Sequence, residues 1–196
     1  MKYQYSFRLP DLPALLFIYS LVFANNNWYF VQAMEKQKSE FHYLVYNSIK
    51  ELNAEDAALL ESAKKATGNS FSVFSNFRVG AAARVEGVKE IIVGSNQENA
   101  SYPVGICAER ALMASVASKY GHKVITTMAI SYVNRNKGKK SNEPISPCGM
   151  CRQALLQYEV NTKHPIRLIL GGKSGKIIVI KEAGHLLPLR FDGSAL

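Results

Sequence analysis

At 196 residues and 21.7 kDa the chain has the length of one ordinary domain, which can bury most of its apolar surface without covalent staples. Its net charge of +9 is spread along the sequence, and the densest basic group, Arg135 to Lys140, has the composition of a solvated loop tip, so charge alone names no nucleic-acid partner. Three cysteines exclude a complete disulfide framework and read more naturally as thiolate ligands in a reducing compartment.

The first 33 residues stand apart. Lys2 and Arg8 precede an apolar run from Leu12 to Ala24 that ends Val22-Phe23-Ala24, the layout of a secretory signal. That run is too short to span a bilayer, which takes about 20 residues. Met34 opens Met34-Glu35-Lys36-Gln37-Lys38, which has the character of an ordinary cytosolic start. Residues 1–33 are therefore expected to be a leader, upstream of the true start, signal-like or anchoring, and residues 34–196 a single domain.

Asn53 is expected to cap a helix from Ala54, with Glu55 and Asp56 in its first turn, apolar residues at Leu59, Ala63 and Ala66, and Gly68 closing it. From Phe77 the period changes to two. Phe77, Val79, Ala81 and Ala83 share one side, and a second run from Glu90 to Val93 after Glu86-Gly87 completes a hairpin. An Ala-rich helix, apolar all round and so buried, is expected from Gly105 to Tyr120 with Gly121 at its end. A third strand spans Met128 to Val133. Pro147 then introduces a helix from Cys148 to Glu159. The last two strands, Ile166 to Leu170 and Ile177 to Ile180, are joined only by Gly171 to Lys176. A parallel pair needs a crossover of about a dozen residues, so this pair is expected to be antiparallel.

All the cysteines fall into two runs, Cys107-Ala108-Glu109 and Pro147-Cys148-Gly149-Met150-Cys151. Three thiolates with a fourth position left to water make a catalytic zinc site. Both helices are expected to start at these cysteines, so that their free N–H groups and positive dipole ends offset the negative charge of the cluster. Arg110, one turn on from Cys107, is expected to donate to the thiolate and draw off electron density. Glu109 lies too close to Cys107 to be a comfortable ligand but can exchange protons with the metal's water. A purely structural zinc knuckle would need His42, His122, His164 or His185 as fourth ligand, and none has the usual local spacing.

The runs Asn96 to Pro103, Gly105 to Arg110 and Ser146 to Gln153, in that order, resemble the signature segments of the small zinc-dependent cytidine deaminases of pyrimidine nucleoside salvage. The resemblance runs from about Leu52 to Leu196. It implies a three-layer α/β/α fold with a mixed five-stranded sheet. It also implies one zinc ion per subunit held by Cys107, Cys148 and Cys151, and hydrolysis of cytidine or 2′-deoxycytidine by water with Glu109 as proton shuttle. It further places Asn96 and Glu98 on the ribose, Phe77 against the base and Ala108 beside the substrate. A cytoplasmic homotetramer is implied, with Phe191 contributing to a neighbour's pocket, no nucleic-acid partner and no membrane for the catalytic domain. Where the family has Pro-Tyr-Ser before that phenylalanine, this chain has Val73-Phe74-Ser75. Zinc deaminases acting on polynucleotides or nucleotides share Pro-Cys-x-x-Cys but typically carry His where Cys107 stands. A nucleoside-antibiotic deaminase of blasticidin type and a non-catalytic zinc-binding module are the alternatives.

Overall fold

The computed structural model describes residues 35–194 in full and, before them, the backbone of β1 (Tyr19–Ala24) and β2 (Asn27–Gln32). These two strands pair antiparallel within a first compact unit, Met1–Ser39. The signal-like features at Lys2, Arg8 and Leu12, and the alternative start at Met34, lie outside the described residues.

The second unit, Glu40–Leu196, holds β3 (Tyr43–Tyr46), α1 (Ala54–Ala66), β4 (Phe77–Val85), β5 (Ile92–Ser95), α2 (Ala108–Tyr120), β6 (Ile125–Asn134), α3 (Gly149–Thr162), β7 (Arg167–Gly171) and β8 (Ile177–Ile180). One sheet runs β3-β8-β7-β6-β4-β5. Only β6 and β7 are parallel, and α3 supplies the crossover between them. The closing pair β7 and β8 is antiparallel, as the short turn requires.

The sheet has six strands where five were expected. The addition is β3, whose four residues pair antiparallel with β8. Three of the four are exposed, so no apolar alternation marks the strand, and its pairing rests on backbone groups that β8 would otherwise present unpaired.

Helices cover both faces, giving three layers. On one side Leu59, Leu60 and Ala63 of α1 pack on Ala82, Ala129, Ile169, Ile177 and Val179. On the other, Leu112 and Val116 of α2 and Leu155 of α3 pack on Ala81, Ala83, Met128, Ile130, Leu168 and Leu170. The alternation of β4 thus serves two cores, because successive side chains point to opposite faces. Asn53 caps α1 by accepting from the Asp56 amide at 2.8 Å, and the helix passes through Thr67 into a 3₁₀ turn rather than stopping at Gly68. Asp56 is buried and takes Arg84 at 2.7 Å and both Arg167 guanidinium nitrogens at 3.0 and 2.7 Å, tying α1 to the sheet.

Candidate active site

Each helix of the second face starts at a cysteine. Cys107 is the N-cap of α2 and Cys148 that of α3, both in extended conformation. The first intrahelical bonds run from Ala111 to the Cys107 carbonyl and from Arg152 to the Cys148 carbonyl, both at 2.9 Å. The amides of these first turns have no carbonyl partner within their helices and carry the positive end of the helix dipole. Cys151, one turn into α3, is fully buried.

The three sulfurs lie within 4.8 Å of one another, and those of Cys107 and Cys148 are 3.7 Å apart. Tetrahedral zinc with Zn–S bonds of about 2.3 Å sets its sulfurs about 3.8 Å apart, so this donor set fits the ion. Among the described residues no histidine or carboxylate joins the group. His164 Nδ1 lies 2.8 Å from the Pro165 carbonyl, and His185 faces Glu182. Hydrogen bonding from the Cys151 thiol lowers the pKa of Cys107 to about 6, against burial and the Glu109 charge. The same bond pushes the pKa of Cys151 up.

Glu109 sits in the first turn of α2, only 4% exposed, and burial raises its pKa although the Cys151 thiol donates to it. Such a carboxyl is poised to accept and release a proton close to the sulfurs. Ala108, the first residue of α2, is buried beside it. Arg110 makes no hydrogen bond to a sulfur, but its charge helps to lower the pKa of Cys107.

Of the other expected substrate residues, Phe77 opens β4 and Asn96 and Glu98 follow β5. Phe77 stacks on Tyr132 with ring centroids 5.1 Å apart. Asn96 is engaged internally, its Oδ1 accepting from Ser70 Oγ at 2.6 Å and the Val79 amide at 2.7 Å, while its Nδ2 donates to the Phe77 carbonyl at 2.9 Å. Glu98 accepts from the Phe74 amide at 2.8 Å, the Ser75 amide at 3.2 Å and the Ser75 hydroxyl. Although burial pushes its pKa up, these donors hold it below the usual range. The turn that lacks proline is therefore fixed by Glu98, and on its other side Asn136 Nδ2 donates to the Ser75 carbonyl at 2.9 Å.

Several residues that hold the site carried no signal of their own in the sequence. Arg152 donates to the Pro147 carbonyl at 2.9 Å and the Leu186 carbonyl at 3.3 Å, joining the cysteine turn to the C-terminal segment. Glu159 accepts from the amides of Ile166, Ala183 and Gly184 at 2.6, 2.9 and 2.9 Å. Gln153 donates to the Phe191 carbonyl at 2.7 Å, and the Phe191 ring is left exposed. Only position in the Pro-Cys-x-x-Cys-Arg-Gln run could have pointed to Arg152 and Gln153; nothing local marks Ser70, Ser75 or Glu159.

The family pattern described as the cytidine and deoxycytidylate deaminase zinc-binding region matches residues 53–164. The chain belongs to this deaminase family. The metal of its sulfur site is accordingly zinc. The deaminase is 38% identical over 89 residues to cytidine deaminase of Mycoplasma genitalium, a match covering 45% of this chain and 62% of that one. It is 31% identical over 134 residues to cytidine deaminase of Halalkalibacterium halodurans, covering 68% and 91%. The crystal structure of cytidine deaminase from Burkholderia pseudomallei superposes with a TM-score of 0.59 at 33% identity, over 71% of this chain and all of that one.

Proposed function

We propose that this enzyme hydrolyses cytidine and 2′-deoxycytidine to uridine and 2′-deoxyuridine, releasing ammonia. The observation that carries the reading is the group of three sulfurs with one buried carboxyl beside it and no fourth protein ligand among the described residues. When bound, zinc supplies a Lewis acid that lowers the pKa of water toward neutrality. The Glu109 carboxylate takes the proton of the attacking water and delivers it to N3 of the base. It then serves the departing amine at C4, so one carboxyl handles both transfers. The positive ends of α2 and α3 offset the thiolate charge, and the Arg110 guanidinium adds positive charge next to Cys107.

Phe77 offers a ring face to the base, and Asn96 keeps one N–H of its amide for the ribose. Glu98, held by Ser75, would face the sugar hydroxyls, and Ala108 would lie against the substrate. Residues 34–196 form the catalytic domain on this reading and residues 1–33 a separate leader, a division supported by the compact unit that starts at Glu40. The exposed Phe191 ring, at 62%, suits a contribution to a neighbouring subunit's pocket in a homotetramer. A role in pyrimidine salvage in the cytoplasm completes the proposal.

Loss of cytidine absorbance on adding zinc-loaded protein is the direct test, with blasticidin S as the competing substrate. Glu109→Gln is expected to lower kcat about 10²- to 10⁴-fold while keeping its zinc. Near-normal turnover in that variant would remove the carboxylate from the mechanism, and faster turnover of blasticidin S would reassign the substrate.

A further inference from the structure

A cavity of about 210 Å³ lies on the α1 side of the sheet, away from the helix starts that carry the sulfurs. Ser48, Ile49 and Lys50 from the turn after β3, Leu60 and Lys64 of α1, and the β7–β8 turn with Ile177 line it. It has many times the room of a single water, about 30 Å³ in the liquid. Three lysines, Lys50, Lys64 and Lys173, are among the residues that line this one space. Lys64 is paired with Glu61 at 2.9 Å, whereas Lys50 and Lys173 have no carboxylate partner among the described residues. The hydroxyls of Ser48 and Ser174 and the backbone amides of Ser174 and Gly175 likewise make no hydrogen bond to another described residue.

The turn that brings Lys173 and Ser174 to the cavity is fixed in place. The Lys173 amide donates to the Ser141 carbonyl at 2.6 Å. Gly175, at φ +86°, lies so close to the 141–142 backbone that a Cβ there would meet the Asn142 carbonyl oxygen at 2.0 Å. The fixed turn backbone holds its free donors in place, so an anion bound there costs ordering only of the lysine side chains. Once Glu61 has answered one lysine, the charge left suits a dianion with several acceptor oxygens, and a carboxylate would satisfy only part of it. Ile49, Leu60 and Ile177 give the space an apolar wall.

We propose that this cavity is a binding site for a phosphate group, either free phosphate or the phosphate of a small ester. The test is calorimetric titration of the full-length, zinc-loaded protein with inorganic phosphate and, separately, with uridine 5′-monophosphate, at ionic strength held constant with chloride. Saturable one-to-one binding is expected, weakened at least ten-fold in Lys50→Gln/Lys173→Gln. It should be unchanged in Lys137→Gln/Lys139→Gln, whose lysines lie on the basic loop. Lys50 and Lys173 are exposed, so their replacement leaves the fold intact. Tighter binding of the ester would identify an ester ligand, and equal binding the free ion. Non-saturable heats, equal weakening in both lysine pairs, or acetate binding as well as phosphate would each overturn the proposal.

Discussion

Cys107 and Cys148 occupy the N-cap position where Ser, Thr, Asp or Asn would normally satisfy a free amide, and neither side chain caps its helix. The sulfurs are turned toward each other instead, so local helix stability is given up for ligand geometry. Asp56 shows the opposite use of a charged side chain. It sits near the start of α1, and two arginines surround it. Burial pushes its pKa up, but hydrogen bonds from Arg167 and Arg84 hold it below the usual carboxylate range. A carboxyl with a depressed folded-state pKa stabilises the fold above its unfolded pKa, and that stability disappears as pH falls through the folded value. Asp56→Asn is expected to cost about 2 kcal/mol at pH 7, a charged hydrogen-bonded pair being broken, or a loss of about 4–8 °C in Tm for a chain of this size. Thermal scans from pH 7 down to pH 3 should show the wild-type advantage shrinking below about pH 4. An advantage that stays constant across that range would mean the ion pair is not its source.

The close approach of α2 to the edge of the sheet decides where Cys107 ends up. A Cβ on Gly94 of β5 would lie 2.5 Å from the Ala108 carbonyl and 2.7 Å from the Leu112 amide, backbone atoms that cannot step aside singly. Gly94→Ala should push the first turn of α2 away from α3, costing about 1–3 kcal/mol of overpacking strain and weakening zinc retention at least ten-fold against a competing chelator. Gly68→Ala, where nothing lies within 4 Å, should change neither. Equal zinc retention in the two variants would show that helix placement is not what holds the sulfurs together. Most elements were readable from periodicity and punctuation: α1 from its Asn53 cap and acidic first turn, β4 from its period of two, and the antiparallel closing pair from the length of its turn. The start of α2 was read at Gly105 and lies at Ala108, because Tyr102–Val104 forms a 3₁₀ turn and Gln97 bridges to Ile106. The cysteines and Glu109 were legible because their spacing is chemical. Ser70, Ser75 and Glu159 were not, since their partners lie 26, 23 and up to 25 residues away and only the folded chain joins them.

At the scale of the whole chain, the family pattern begins at residue 53, yet the sheet does not. Strand β3 precedes that point and covers the outer edge of β8, while Tyr46, Ile49 and Leu52 pack on the α1 side of the core. Without β3, the edge presented to solvent would be Ile177 to Ile180, four β-branched apolar residues in a row with unpaired backbone groups. That is a template for pairing with another chain. Residues 1–39 belong to a separate compact unit, so a chain starting at Glu40 is expected to keep its zinc, its turnover and its Tm. A chain starting at Leu52 is expected to keep the three sulfurs and Glu109 but to melt several degrees lower and to elute from a sizing column as concentration-dependent aggregates. It should also lose phosphate binding, because Ser48, Ile49 and Lys50 leave with the strand. Light scattering, melting curves and metal content on the two truncated chains read all of this together. Identical behaviour would mean that β3 only decorates the sheet, whereas loss of zinc already in the chain starting at Glu40 would make the N-terminal unit part of the catalytic fold.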